Sequence, residues 1–147
     1  MKKALVLVTL LFSFAAKAQF NLNTLFDVPK ISEGALIILD SLNESAEKVH
    51  VIQKENVNLE AQWLLVCNNA VQVQSLANTM NMLFKAWSLN TKTCLPITHV
   101  IDLQNVVIEN CANFYTKSVP MNSGVILEAL ALSYEESKKV INECKLF

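Results

Sequence analysis

Apolar side chains in this chain recur at alternating steps of three and four residues, the spacing of one face of a helix. The longest such run is Leu59, Trp63, Val66, Ala70, Val73, Ala77, Met80, Phe84 and Trp87, which predicts a single helix over roughly Asn58 to Leu89. At ~1.5 Å per residue it would approach ~45 Å, long enough to serve as the spine of a bundle. Before it, ISEGALIILDSLNESAEKVHVIQKE predicts a helix starting at Ser32 or a neighbour. Leu39, Leu42, Ala46 and Val49 share one face there, with Asp40, Glu44, Glu47 and Lys48 off it. The preceding QFNLNTLFDVPK reads either as a short helical turn or as an extended arm.

Downstream, SLNTKTC is a polar connection and Pro96 suits the first turn of a third long helix, where its missing N–H costs nothing. Ile97, Val100, Leu103, Val107, Cys111 and Phe114 form its apolar face, and it should end near Lys117. Pro120, Asn122 and Gly124 mark a second loop. A last helix starts near Ser123 or Gly124 and aligns Leu130, Tyr134, Ile141 and Cys144. Only two glycines and three prolines interrupt the chain, no segment repeats, and no linker divides it. The expectation is one all-α domain, a four- or five-helix bundle. The long seam would also suit a coiled-coil dimer, but three further amphipathic segments favour an intramolecular partner.

The first residues break this pattern. Lys2 and Lys3 precede an apolar stretch from Ala4 to Ala16, and Ala16-Lys17-Ala18 places small residues where signal peptidase reads. Residues 1–18 therefore read as a secretory signal peptide cut before Gln19, leaving residues 19–147 as a single exported domain. The stretch reaches ~13 residues, short of the ~20 that a membrane span requires, and no later segment of the sequence is a better candidate. Loss of Lys2, Lys3 and Lys17 leaves nine lysines against thirteen acidic residues, a formal charge near −4. That sign disfavours nucleic acid as a partner. The chain also lacks arginine, and with it the planar fork suited to phosphate recognition.

An even count of cysteines in an exported chain, here Cys67, Cys94, Cys111 and Cys144, favours two disulfides. Their spacing has no C-x-x-C pair to support a zinc site, so no metal or other cofactor is implied. The helical map makes the three connectivities unequal. Cys94 lies in the loop above the long helix, level with the end of an antiparallel last helix carrying Cys144. Cys111 lies more than ~20 Å down the third helix, nearer the depth of Cys67, and a bridge tolerates a Cα separation of only about 7 Å. Cys67–Cys111 and Cys94–Cys144 are the favoured pairs.

Candidate chemistry is sparse. His50 and His99 are the only imidazoles, and neither adjoins a cysteine or a recognised nucleophile motif; Asp102, one turn from His99, reads as a surface partner rather than half of a triad. No G-x-S-x-G, H-E-x-x-H or glycine-rich phosphate loop occurs, so the chain does not read as an enzyme. Asn43-Glu44-Ser45 is the one N-x-S/T sequon, a candidate glycosylation site in a eukaryotic host. Trp63, Met80, Met82, Phe84 and Trp87 form an aromatic and methionine strip. It serves either as core or as the lining of an apolar ligand or partner surface.

Trp63-Leu64-Leu65-Val66-Cys67-Asn68, in a short exported helical chain with four cysteines, resembles the small accessory-gland proteins of fruit-fly seminal fluid. The resemblance implies a secreted male reproductive factor that acts by binding in the mated female, with Trp63 and Cys67 in structural roles. The residues themselves lead to a secreted, non-enzymatic helical binding or signalling protein with an extracellular protein partner. The alternative is an extracellular carrier that holds a small apolar ligand between helices.

Overall fold

A computed structural model describes residues 30–55, 59–87 and 94–144, without the side chains of Lys30, Leu59 and Trp87. Residues 1–18, the cleavage position before Gln19 and the arm ahead of Lys30 lie outside the described residues. Within them every regular element is a helix: α1 Lys30–Glu55, α2 Leu59–Trp87, α3 Leu95–Lys117 and α4 Ser123–Glu143. Each helix packs against two neighbours in the closed ring α1–α2–α3–α4–α1, and the diagonal pairs do not meet. The arrangement is an up-down-up-down four-helix bundle. Side-chain pairs from opposite ends of neighbouring helices establish the antiparallel sense: Tyr115 with Glu60, His99 with Glu136, and Gln53 with Ser123.

The spine helix forms as its seam predicts. Trp63, Val66, Ala70, Val73, Ala77, Met80 and Phe84 are all buried along α2. The other helices bury related but shifted faces. In α1 the buried stripe is Ile31, Ala35, Ile38, Leu42, Ser45, Val49 and Ile52, while Leu39 and Ala46 are half-buried. In α3 the buried positions include Gln104 and Tyr115, with Leu103 and Phe114 only half-buried. Tyr115 goes inward because its hydroxyl donates to the Glu60 carbonyl at 2.7 Å, which satisfies the polar tip of a large apolar ring. In α4 Leu130 is buried, but Tyr134 and Ile141 are half-buried, and Ser133 and Ser137 occupy core positions instead.

Several buried polar side chains bond across helices, while Gln104 Oε1 is left without a protein partner. Asn69 Nδ2 donates to Ser45 Oγ at 3.0 Å between α1 and α2, and Gln104 Nε2 donates to Ser133 Oγ at 2.8 Å between α3 and α4. Ser137 Oγ returns its proton to the Ser133 carbonyl at 2.7 Å. Gln74 adds a bond from α2 to the Ile101 carbonyl of α3 at 3.2 Å. Such pairs contribute little net stability, but sliding a helix by one turn would bury them unpaired, at about 1–3 kcal/mol per group. They therefore pin the register.

Helix ends follow local chemistry. Pro96 lies in the first turn of α3 and Asn122 Oδ1 caps α4 by accepting from the Val125 N–H at 3.1 Å. Ser118, at φ 56°, takes the left-handed conformation that ends α3, and the Val119 N–H reaches back to the Asn113 carbonyl at 3.2 Å.

Both disulfides have the favoured connectivity. Cys67–Cys111 joins α2 to α3 with Cα atoms 5.9 Å apart, and Cys94–Cys144 joins the start of α3 to the end of α4 at 5.6 Å. No bridge reaches α1, which is held by packing and by the Ser45 and Gln53 hydrogen bonds.

Two outcomes follow from this bracing. Replacing Cys67 and Cys111 together by alanine should lower the unfolding free energy in urea by about 4 kcal/mol, the loop-closure value for a separation of 44 residues. Native-state hydrogen exchange should release α1 amides before those of α2, α3 and α4, and equal protection in all four helices would contradict the uneven bracing.

Candidate functional site

The aromatic and methionine strip is distributed between core and surface. Trp63, Met80 and Phe84 project from one face of α2 into the packed interior, each at most 4% exposed. Met82, on the opposite face, is 71% exposed, and the Trp87 side chain lies outside the described residues. Concave apolar surface occurs elsewhere, on the two sides of α1.

One groove runs between α1 and α4 and has a volume of about 340 Å³. It is lined by Leu42 and Ala46 from α1 and by Leu127, Leu130 and the exposed Ala131 from α4, with Asn43, His50, Tyr134 and Glu135 around its rim. The cause is local: the antiparallel pairing sets two alanines, Ala46 and Ala131, into this side of the seam, where longer side chains would fill the space. A smaller groove of about 230 Å³ lies between α1 and α2, with Ile37, Ile38, Val73 and Leu76 flanked by Asp40, Glu44 and Gln72. Volumes of roughly 300 Å³ and above suit small ligands, and of these two grooves the α1/α4 groove reaches that size. Sequence periodicity could not locate it, because a groove depends on which half-buried positions of two distant segments face each other.

Asn43 is exposed and forms part of this rim, so a glycan attached there would project across the groove mouth. Ser45, the third residue of the sequon, is 1% exposed and bonded to Asn69. The folded helix thus presents the acceptor amide but not the hydroxyl.

The two histidines are separated. His50 is exposed on the groove rim of α1. His99 on α3 contacts Glu136 of α4 through Nδ1 and Oε2 at 2.8 Å, and Lys139 holds the other carboxylate oxygen of Glu136 at 2.8 Å. The partner of His99 is therefore 37 residues away in sequence, across a helix interface, not Asp102 on its own helix. The hydrogen bond from Lys139 holds the Glu136 carboxyl below the ordinary glutamate range against the opposing effect of partial burial, and His99 reinforces it. The same carboxylate raises Lys139. Burial, with a smaller contribution from Glu60, holds the Tyr115 hydroxyl well above the usual tyrosine range, so it serves as a fixed donor. The four cysteines are all paired, and none of the described thiols is free for nucleophilic chemistry.

The depressed Glu136 carboxyl contributes stability above its ordinary value of about 4.3, and that contribution is lost as pH falls through the lower folded value. Glu136→Gln should therefore be less stable than the parent at pH 7 and approach it as the solution is acidified toward pH 3. Thermal melts across that range would show it, and a stability difference independent of pH would count against the pairing. No family model matches the chain, and neither a curated protein nor a solved structure matches it.

Proposed function

We propose that this chain is a secreted, disulfide-braced helical protein that acts by binding an extracellular partner and not by catalysis. The observation that carries the reading is the pairing of all four cysteines, with Cα separations of 5.9 and 5.6 Å. Two bridges between helices form and persist in an oxidising compartment, and the signal-like residues 1–18 supply a route to one. Against a catalytic role, the His99–Glu136 pair seen among the described residues is exposed, with the His99 side chain 53% exposed, and Glu136 is already engaged by Lys139. A general base needs a partner held for a substrate proton, and no nucleophile motif occurs in the sequence.

The seminal-fluid resemblance through Trp63 to Asn68 specialises this reading to a reproductive factor delivered to the mated female. Its segment lies on α2, where Trp63 and Cys67 are 4% and 2% exposed, so these residues would act as scaffold and contacts would come from other helices. A second reading, a carrier of small apolar ligands, is favoured by one specific feature, the α1/α4 groove, in place of the Trp63 to Trp87 strip.

Expression of the full chain in a secretory insect cell line should deliver protein to the medium with Gln19 at its N-terminus and no free thiol, as read by intact mass with and without alkylation. Retention in the cell with an uncut N-terminus would overturn the export reading. Immobilised secreted protein should then enrich a saturable partner from the extracellular fluid of the host.

A further inference from the structure

An N-x-S/T sequon is read through two groups, the asparagine amide and the hydroxyl two residues on, and the fold separates them in Asn43-Glu44-Ser45. In an extended segment side chains two residues apart point to one side, whereas at 3.6 residues per turn they diverge by about 200° around a helix. Within α1 Asn43 accordingly faces solvent, and Ser45 falls on the buried stripe between Leu42 and Val49. The Ser45 hydroxyl is 1% exposed and accepts from Asn69 Nδ2 of α2 at 3.0 Å. Two separate obstacles thus close the sequon in the folded chain, the helical backbone and the α1–α2 interface.

Neither obstacle exists while the chain is being made. Most helix stability in proteins comes from packing of an apolar face, and α1 packs on α2 and α4 alone. Asn69 follows Ser45 by 24 residues. The end of α4 at Glu143 follows by about a hundred, so at ~5–20 residues per second α1 lacks its second wall for roughly 5–20 s of synthesis. α1 also contains no cysteine, so no disulfide can draw it into place early.

We propose that Asn43 takes an N-linked glycan in a eukaryotic secretory pathway only before α1 docks, and that the folded bundle no longer accepts the sugar. This rests on the export reading, because the transferase and its donor face the lumen of that pathway. The donor is an oligosaccharide carried on a lipid pyrophosphate. Asn43 Nδ2 forms a bond to the anomeric carbon, the bond from that carbon to the pyrophosphate oxygen breaks, the lipid pyrophosphate leaves with the electron pair, and the amide gives up one proton. Folding can then proceed, since Asn43 is exposed on α1 and the Ser45 hydroxyl is not consumed by the reaction.

The test offers full-length protein made without glycan to detergent-solubilised oligosaccharyltransferase and lipid-linked oligosaccharide, once oxidised and folded and once reduced and alkylated. No leader is needed for that encounter, so this arm does not depend on export. The reduced chain should gain a glycan on its tryptic peptide 31–48 at least about tenfold faster than the folded chain, which must first open α1. Asn43→Gln and Ser45→Ala should abolish transfer to the reduced chain, where no fold is at stake, and Ser45→Thr should retain it. Equal transfer to folded and reduced chains, or none to the reduced chain, would overturn the proposal. In the secretory insect cell line, exported protein should carry extra mass that peptide N-glycosidase removes, leaving aspartate at position 43, and Asn43→Gln should lack that mass. Secreted protein with a bare Asn43 would sink the proposal and leave export standing. Retention with an uncut N-terminus would sink the export reading, and the proposal with it.

Discussion

Both disulfides end on α3. Cys94 precedes its first turn and Cys111 lies seventeen residues later, so one bridge ties its upper end to α4 and the other ties its lower half to α2. Two separated anchor points fix the axial position of α3 against both neighbours. Gln104–Ser133 and His99–Glu136 bond α3 to α4, and Gln74–Ile101 and Tyr115–Glu60 bond it to α2. With α2, α3 and α4 joined covalently, the conformational entropy lost on folding this part is lower than for an unbridged chain. The remaining helix closes the ring by burying its apolar stripe.

This uneven bracing organises the surface as well. α1 is flanked on both sides by grooves, and no bridge draws it toward either neighbour. It also carries Leu36, Ile37 and Val51, three exposed large hydrophobics. The covalently joined helices form one braced unit and α1 packs on it without a bridge, with much of the net negative charge on α1 and its partner α4.

Much of the fold was legible along the chain because helical packing writes itself into periodicity. The α2 seam from Trp63 to Phe84 is buried at every expected step. α3 ends at Lys117 and α4 starts at Ser123, where the sequence places them. The disulfide pairing was legible for a related reason: rise per residue and antiparallel order together put only certain cysteines at one level. The misassigned positions are those where polarity misled. Gln104, Ser133 and Ser137 are buried, although a hydropathy pattern assigns such residues to the outside; Gln104 and Ser133 pair across 29 residues of sequence, and Ser137 bonds the Ser133 carbonyl one turn back. Phe114 and Tyr115 exchange roles for the same reason, since the hydroxyl that admits Tyr115 to the core bonds to a carbonyl of another helix.

The candidate site was the least legible. A strip of Trp63, Met80 and Phe84 has the composition of a ligand lining, yet on the face of the spine helix those side chains are what the bundle packs around. The groove comes instead from Ala46 and Ala131, which carry no signal until α1 and α4 are placed side by side. Likewise His99 finds Glu136 rather than Asp102 only once α3 and α4 are antiparallel. Local periodicity, breaker content and cysteine spacing thus indicated the four long helices, their approximate boundaries and the favoured bridges, because each reflects interactions within a segment or along one axis. Which small residues leave space, and which polar groups pair between helices, was decided by the tertiary structure, because both depend on faces that meet only when the ring closes.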